Sequence, residues 1–475
     1  MPSQISTNIS GGAVDMARAF QASPRKHVLM ITNHGIHQWR VIPGLPDTGG
    51  QNVFVNQFTE ALAHLGPQAD PEDRFKITIV NRGGYAHPVT GKLHTGLVYK
   101  DEQQRILYLE DGRTEFVRKE DMHERIPALV TALRRFLEAE NSDVDLIVSH
   151  YWDAAQLGAV YNAGREKPVQ HVWVPHSLGT LKKRNVSPER WGGLRIDERI
   201  AAERAVMPEL DGVAATSDII KQVLAEDYGY DGPDLFLPPC VDTGRYHPRQ
   251  VAGDDEVWSF LGAHCGLSPA EVRRCKIVTE ISRTDTTKRK DILIRAFARA
   301  HRQVPGSLLL VSIDDNQPDL ARELRHLIRN LDVQRHVAVV GSVWEWLPRL
   351  YAVTSVYCTP SVMEGFGMSA QEAAATRVPV VASHLVPYVT GYLLGSDVKE
   401  VALGECRAPL QVGSGAIVVP ADDVEGFARA LEMLLTDDEL RRGMGQSAYQ
   451  ITVPYFTWEN MVTRFAQALS IDPGD

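Results

Sequence analysis

Short apolar runs alternate with amphipathic stretches along almost the whole chain. Lys26-His27-Val28-Leu29-Met30-Ile31-Thr32 is the first run, with the length and composition of a buried strand. After a loop, Gly49-Gly50 opens a stretch in which Val55, Phe58, Leu62 and Leu65 share one helical face, and Gly66 is placed to end it. Further runs stand at 75–80, 144–149, 171–175 and 212–216, while 126–138 and 154–162 carry the helical period. Strand and helix in strict turn predict a parallel sheet covered by helices on both faces.

The alternation pauses around Pro238-Pro239-Cys240-Val241-Asp242 and then restarts, with strands expected at 276–281, 307–313, 337–340, 356–360, 379–382 and 416–419. This pattern predicts an α/β protein of two doubly wound, parallel-sheet domains, 26–245 and 246–451, with a linker near 240–250. Residues 1–25 read as a flexible polar lead-in, and 452–475 as a last segment with a helix from Phe456 to Ala468. Open parallel sheets take ligands at the carboxyl ends of their strands, so the expected site is the cleft between the domains.

Length supports the division, because 475 residues exceed the ~250–300 at which one core stops growing. The net charge of -10 argues against a nucleic-acid partner, whose phosphates reward a basic surface. It leaves room for a local basic pocket that takes a phosphorylated small molecule. Cys240, Cys265, Cys275, Cys358 and Cys406 show no metal-ligand spacing and read as reduced structural thiols of a cytoplasmic protein. No signal peptide and no run of ~18 apolar residues is evident, so no membrane span is expected. The oligomeric state is left open.

Three segments stand where chemistry belongs. Pro46-Asp47-Thr48-Gly49-Gly50-Gln51 lies between the first strand and the first helix. Its glycines let backbone approach a ligand, and a helix start aims free N–H groups at an anion. A plain tight turn would look the same, since neither a full GxGxxG fingerprint nor a Walker lysine is present. Ser282-Arg283-Thr284-Asp285-Thr286-Thr287-Lys288 follows the first strand of the second half. Arg283 as a fork and Lys288 as a point charge suit a diphosphate; the alternative is a solvated charge run continuing into Arg289 and Lys290. In Glu364-Gly365-Phe366-Gly367-Met368-Ser369-Ala370-Gln371-Glu372, one acid lies in a loop and the other near a helix start. Two carboxylates accept from paired hydroxyls, as of a sugar beside a ribose, and the glycines free amides to face phosphate. Complementing a helix dipole is the bland alternative. His176 and His150 each end an apolar strand, the position at which such sheets bind ligands. No spacing matches a metal site, and the GxSxG elbow of a hydrolase is absent.

In this order, from about Lys26 to Leu469, the three segments resemble the retaining glycosyltransferases of family 4 with the GT-B fold. The Glu-x7-Glu spacing of Glu364 and Glu372 is the specific part. His34-Gly35 followed by Pro46–Gln51 is similar to the sucrose-forming branch, sucrose synthases and sucrose-phosphate synthases. His176-Ser177-Leu178-Gly179 and Arg199-Ile200-Ala201-Ala202-Glu203-Arg204 lean toward the latter.

The resemblance implies two Rossmann-like domains, the first for the acceptor and the second for a nucleotide sugar, with a terminal helix crossing back to the first. It implies transfer of a hexose, with UDP-glucose as donor and fructose 6-phosphate as acceptor, needing no metal or other cofactor. Catalytic roles fall on His176, Arg283, Lys288 and Glu364. Donor contacts fall on Gly49, Gly50, Gln51, Arg283, Lys288, Gly341, Val343, Glu364, Gly365, Phe366, Gly367, Met368 and Glu372. Acceptor contacts fall on Gln51, His150, Lys182, Arg184 and Arg199. Departures from the family pattern are Cys240 where glycine is usual, Glu115 where a lysine for the acceptor phosphate is expected, and Arg199 without a second arginine. Other readings are a sucrose synthase using free fructose, a transferase with GDP-mannose, ADP-glucose or another acceptor, and, from another class, a nucleotide-sugar epimerase or silent binding protein.

Overall fold

A computed structural model of the chain describes residues 11–40, 50–65, 74–87, 90–315 and 317–469. Pro46 to Gly49, and Gly66, lie outside these described residues. The chain divides into two compact units, Met1–Pro238 with Met461–Asp475, and Pro239–Asn460.

The first unit holds β1 (Lys26–Ile31), β2 (Phe75–Arg82), β3 (Gly96–Tyr99), β4 (Gln104–Leu109), β5 (Leu146–His150), β6 (Gln170–Val174), β7 (Gly212–Ala215) and β8 (Asp234–Phe236). Their order across the sheet is β3-β4-β2-β1-β5-β6-β7-β8, with only the β3–β4 pair antiparallel. Val28 to Ile31 are wholly buried, as a central strand covered on both faces must be. Helices Ile126–Glu140 and Trp152–Ala163 bring Leu129, Leu133 and Leu157 into one core with Leu29, Ile31 and Ile147. Helix Asp218–Tyr228 adds Ile220 and Leu224 to a second core with Trp173 and Val213. The last helix, Trp458–Ala468, sets Phe465 edge-on to Phe58 of helix Gly50–Ala63, 5.3 Å between ring centres.

Two features of this unit depart from the expected pattern. The flexible lead-in is in part a helix, Gly11–Ala22, anchored by Phe20, which lies under the Arg105 guanidinium at 4.0 Å. The stretch carries Val14, Met16, Ala17 and Phe20 at near-helical spacing, a signal that the reading of a loose polar lead-in missed. The hairpin β3–β4 was also invisible as alternation, because buried Gln104 and Arg105 interrupt the apolar run. Arg105 is satisfied there by Glu140, with Nη2 to Oε2 at 2.6 Å, and by Thr78.

The second unit repeats the plan with β9 (Lys276–Glu280), β10 (Ser307–Ser312), β11 (Val337–Val340), β12 (Thr354–Thr359), β13 (Val380–Ser383), β14 (Lys399–Val401), β15 (Leu410–Val412) and β16 (Ala416–Val419). The order is β11-β10-β9-β12-β13-β16-β15-β14, parallel except around β14 and β15, two short strands that carry no apolar run. The stretch expected as a linker is built into this unit. Val241 N donates to Phe456 O at 2.8 Å, Gln371 Nε2 donates to Pro239 O at 2.8 Å, and Tyr246 is buried. Among the described residues no helix is long and apolar enough to cross a membrane.

In both sheets the strand order turns back at one place, between β1 and β5 and between β9 and β12. Ligands of open α/β sheets bind outside the carboxyl ends of strands at such a point.

Candidate active site

In the second unit the loops after β9 and β12 meet. The loop from Ser282 to Lys288 is held along its length. Thr284 N donates to Asp314 Oδ2 at 3.1 Å, and Asp314 N returns a bond to Thr284 Oγ1 at 2.8 Å. Asp285 Oδ1 accepts from Thr287 N at 2.8 Å and from Thr287 Oγ1 at 2.6 Å, capping the 3-10 turn Thr286–Lys288. Val362 N donates to Thr287 O at 2.8 Å, which ties this loop to the one after β12. The result places Lys288 Nζ 2.5 Å from Glu364 Oε1, a short charge-assisted bond. Arg283 stands exposed; its carbonyl accepts from Ser282 Oγ at 3.3 Å, and among the described residues its guanidinium makes no hydrogen bond or ion pair. A held ammonium and an unengaged guanidinium on one fixed loop are a fitting receptor for a diphosphate.

The glycines beyond Glu364 have separate reasons. A side chain at Gly365 would meet nothing within 4 Å, so the backbone borders open space. Gly367 has φ +115 and a Cβ there would stand 2.7 Å from Val386 Cγ1, so only glycine fits. Helix Met368–Ala375 starts at Gly367 with no side-chain cap, leaving its first amides to a ligand. Phe366 belongs to the site by its backbone only. Its ring packs with Tyr388 at 5.3 Å and Phe456 at 6.0 Å, in the core. Val343 is likewise buried, while Gly341 borders open space.

Glu372 accepts from Tyr351 Oη at 3.1 Å. Burial raises its pKa to about 7, against the pull of the Tyr351 bond and the Arg245 charge. Arg245 itself lies over the exposed Trp344 ring at 4.1 Å, beside the Gly341–Val343 stretch. The Tyr357 phenol is pushed up by burial first and then by the charges of Glu280, Glu364 and Glu372.

In the first unit, the strand ends after β1, β5 and β6 carry histidines. His150 Nδ1 and His176 Nε2 share a hydrogen bond at 3.0 Å, and their rings stack at 5.2 Å. Phe54, one turn along the helix from Gln51, meets His176 edge-on at 4.8 Å. Gln51 Nε2 donates to Thr32 Oγ1 at 3.2 Å at the end of β1. Burial lowers the pKa of His176 to about 3, and that of His150 well below its usual value, so both rings are neutral near pH 7. His176 has φ 55, a strained conformation for a residue with a Cβ.

The acceptor residues expected beyond these histidines do not gather around them. Arg199, expected to bind the acceptor, is buried with its donors taken. Nε bonds Glu203 Oε1 at 2.7 Å, Nη1 bonds Tyr151 Oη at 2.6 Å, and Nη2 bonds Ser177 O at 2.6 Å. Glu203 Oε2 in turn accepts from Gly179 N at 2.9 Å and from Tyr228 Oη. Arg199 is therefore a brace for the His176–Gly179 turn. Arg184 is exposed and paired with Asp227, while Lys182 is half-buried with Glu120 Oε1 at 3.9 Å.

Sequence reasoning noted His34 in the family resemblance but gave it no site role, and it passed over Asp153; both are buried, with His34 Nδ1 3.1 Å from Asp153 Oδ1. Their signal was position, since each stands just past the end of a central strand. It also passed over Arg245 and Tyr351, which surround Glu372 from distant parts of the sequence.

Residues 48–245 match the family described as Glycosyltransferase Family 4, and residues 270–451 the one described as Glycosyl transferases group 1. Mannosylfructose-phosphate synthase of Agrobacterium fabrum is 27% identical over 368 residues, 74% of this chain and 75% of that protein. D-inositol 3-phosphate glycosyltransferase of Corynebacterium aurimucosum is 27% identical over 453 residues, 91% of this chain and 94% of its own length. Among solved structures, sucrose-phosphate synthase from Thermosynechococcus elongatus superposes with a TM-score of 0.72 at 23% identity, covering 94% of this chain and 98% of that one. Anabaena HepE in complex with UDP and glucose gives 0.64 at 16% identity, over 94% and 100%. The chain belongs to the family 4 glycosyltransferases of the GT-B fold, and it is a hexosyl-transferring enzyme.

Proposed function

We propose that this enzyme transfers glucose from UDP-glucose to fructose 6-phosphate, giving sucrose 6-phosphate with retention of configuration. The observation that carries the reading is the Lys288–Glu364 contact beside an unengaged Arg283, a donor site with cations for a diphosphate and a carboxylate for a sugar. The names of the similar proteins add that such chains act on phosphorylated small polyols or make sugar phosphates.

As the glycosidic bond breaks, negative charge grows on the leaving diphosphate. Arg283, Lys288 and the first amides of helix Met368–Ala375 stabilise that charge, and fixed donors do so at little reorganisation cost. Two side-chain cations take the place of a metal in this reading. Glu372 holds the ribose diol, Glu364 a hydroxyl of the donor sugar, and the acceptor attacks from the face the diphosphate leaves. His176, neutral at working pH, acts as a hydrogen-bond partner at the reacting sugar and not as an acid. Lys182 and Arg184, both solvent-accessible, are the cations proposed for the acceptor phosphate, since Arg199 is buried with its donors taken. The five free thiols fit a cytoplasmic enzyme.

The test is release of nucleoside diphosphate from UDP-glucose, GDP-mannose or ADP-glucose, each offered fructose 6-phosphate, fructose, inositol 3-phosphate or no acceptor. Release from UDP-glucose that depends on fructose 6-phosphate is expected. Dependence on inositol 3-phosphate, or on GDP-mannose as donor, would replace this substrate pair and keep the transferase.

A further inference from the structure

Lys290 opens the helix Lys290–Gln303 and is buried. Both facts count against a lysine, because a helix start repels a cation and burial strips its hydration. Four oxygens surround Nζ: Ser312 O at 2.6 Å, Ser312 Oγ and Glu280 Oε2 at 2.9 Å, and Ser282 O at 3.0 Å. Ser312 Oγ also donates to Ser282 O at 2.6 Å and accepts from Ser282 N at 3.0 Å. Glu280 ends β9, Ser312 ends β10, and Ser282 begins the loop that carries Arg283 and Lys288. One ammonium thus ties two strand ends, the start of that loop and the first turn of the helix behind it.

We propose that Glu280 and Lys290 are positioning residues for the donor diphosphate, a buried ion pair that fixes where the Arg283 and Lys288 cations stand. This rests on the reading of that loop as the diphosphate site. Stability alone does not account for the pair, because a buried ion pair exchanged for apolar groups of similar volume often costs nothing. Geometry does account for it. Carbonyls at two strand ends converge on one charged donor, and no apolar side chain would draw them together. A displacement of about 1 Å at a charge-binding loop is enough to cost ~100-fold in rate.

The experiment uses the full chain with Glu280 and Lys290 both replaced, Glu280→Leu with Lys290→Met, so that no lone charge stays buried. Binding of UDP, GDP and ADP, each against its nucleoside, is measured by calorimetry and competition, with thermal unfolding as control. The expected result is a wild-type melting temperature, unchanged nucleoside affinity, and diphosphate binding weaker by about tenfold or more. An unchanged ratio of diphosphate to nucleoside affinity in the folded variant overturns the proposal. Should the double variant not fold, Ser312→Ala takes its place, with a severalfold loss of the same ratio expected and no loss overturning the idea. Lys288→Ala separates the two readings: if that variant binds the diphosphates as wild type does, the loop is not the diphosphate site and both fall.

Discussion

At the strand ends after β1, β5 and β6, the first unit presents His34, His150 and His176, rings kept in hydrophobic company beside Phe54 and Tyr151. At the equivalent place after β9 and β12, the second unit presents Arg283, Lys288, Glu364 and Glu372. The sheets are wound alike and turn back at the same point, yet one end sets the neutral imidazoles of His150 and His176 and the other sets ions. Under the proposed function the difference lies in what each loop is to hold. A diphosphate demands fixed positive charge, whereas sugar hydroxyls are matched by neutral donors and acceptors that do not compete for it. Fold sets the address, and loop composition sets the charge state.

Breaking the ionic side should cost most. Lys288→Ala is expected to lower turnover by about 1,000-fold with the fold intact, as loss of a fixed charge donor does; near-wild-type rates would remove the diphosphate role. Next comes the brace on the histidine side. Arg199→Met leaves Glu203 buried without its cation and should cost about 3–5 kcal/mol in chemical denaturation, with the turn at His176 disordered. A loss confined to acceptor KM at unchanged stability would return Arg199 to the acceptor site.

A smaller effect sharpens the contrast through pH. Glu372 binds its proton more tightly folded than unfolded, with a pKa of about 7 against 4.5, so its contribution to stability is lost as pH rises through 7. His176 runs the other way, its folded pKa of about 3 against 6.5 giving stability that is lost as pH falls below 6.5. Glu372→Gln should therefore gain in melting temperature on wild type between pH 5 and pH 8, and parallel curves would refute the shift. The smallest change is expected for Lys182→Ala, a severalfold rise in KM for a phosphorylated acceptor and none for the nucleotide sugar.

Much of this was legible from the chain. The apolar runs that became β1, β9 and β12 are buried on both faces, so they read as continuous stretches, and the segments after them were placed with them. What escaped was of two kinds. Gln104 and Arg105 lie in a strand but are polar, and Arg105 is satisfied by Glu140, a partner that only folding brings near. Arg245 and Tyr351 reach Glu372 from distant parts of the sequence, and Lys290, read as part of a charge run, turned out buried, so no local spacing announces any of them. Arg199 shows the reverse error: an arginine beside a site residue looked like a ligand group, and burial against Glu203 made it a support.

The last helix also bears on how the chain is made. Met461 and the residues after it count with the first unit, although all of the second lies before them in sequence. Phe465 packs on Phe58 only once the whole of the second unit has been translated. The amino-terminal half emerges first from the ribosome and finishes its core last, so it waits incomplete, with Phe58 uncovered, while the carboxyl-terminal half is synthesised.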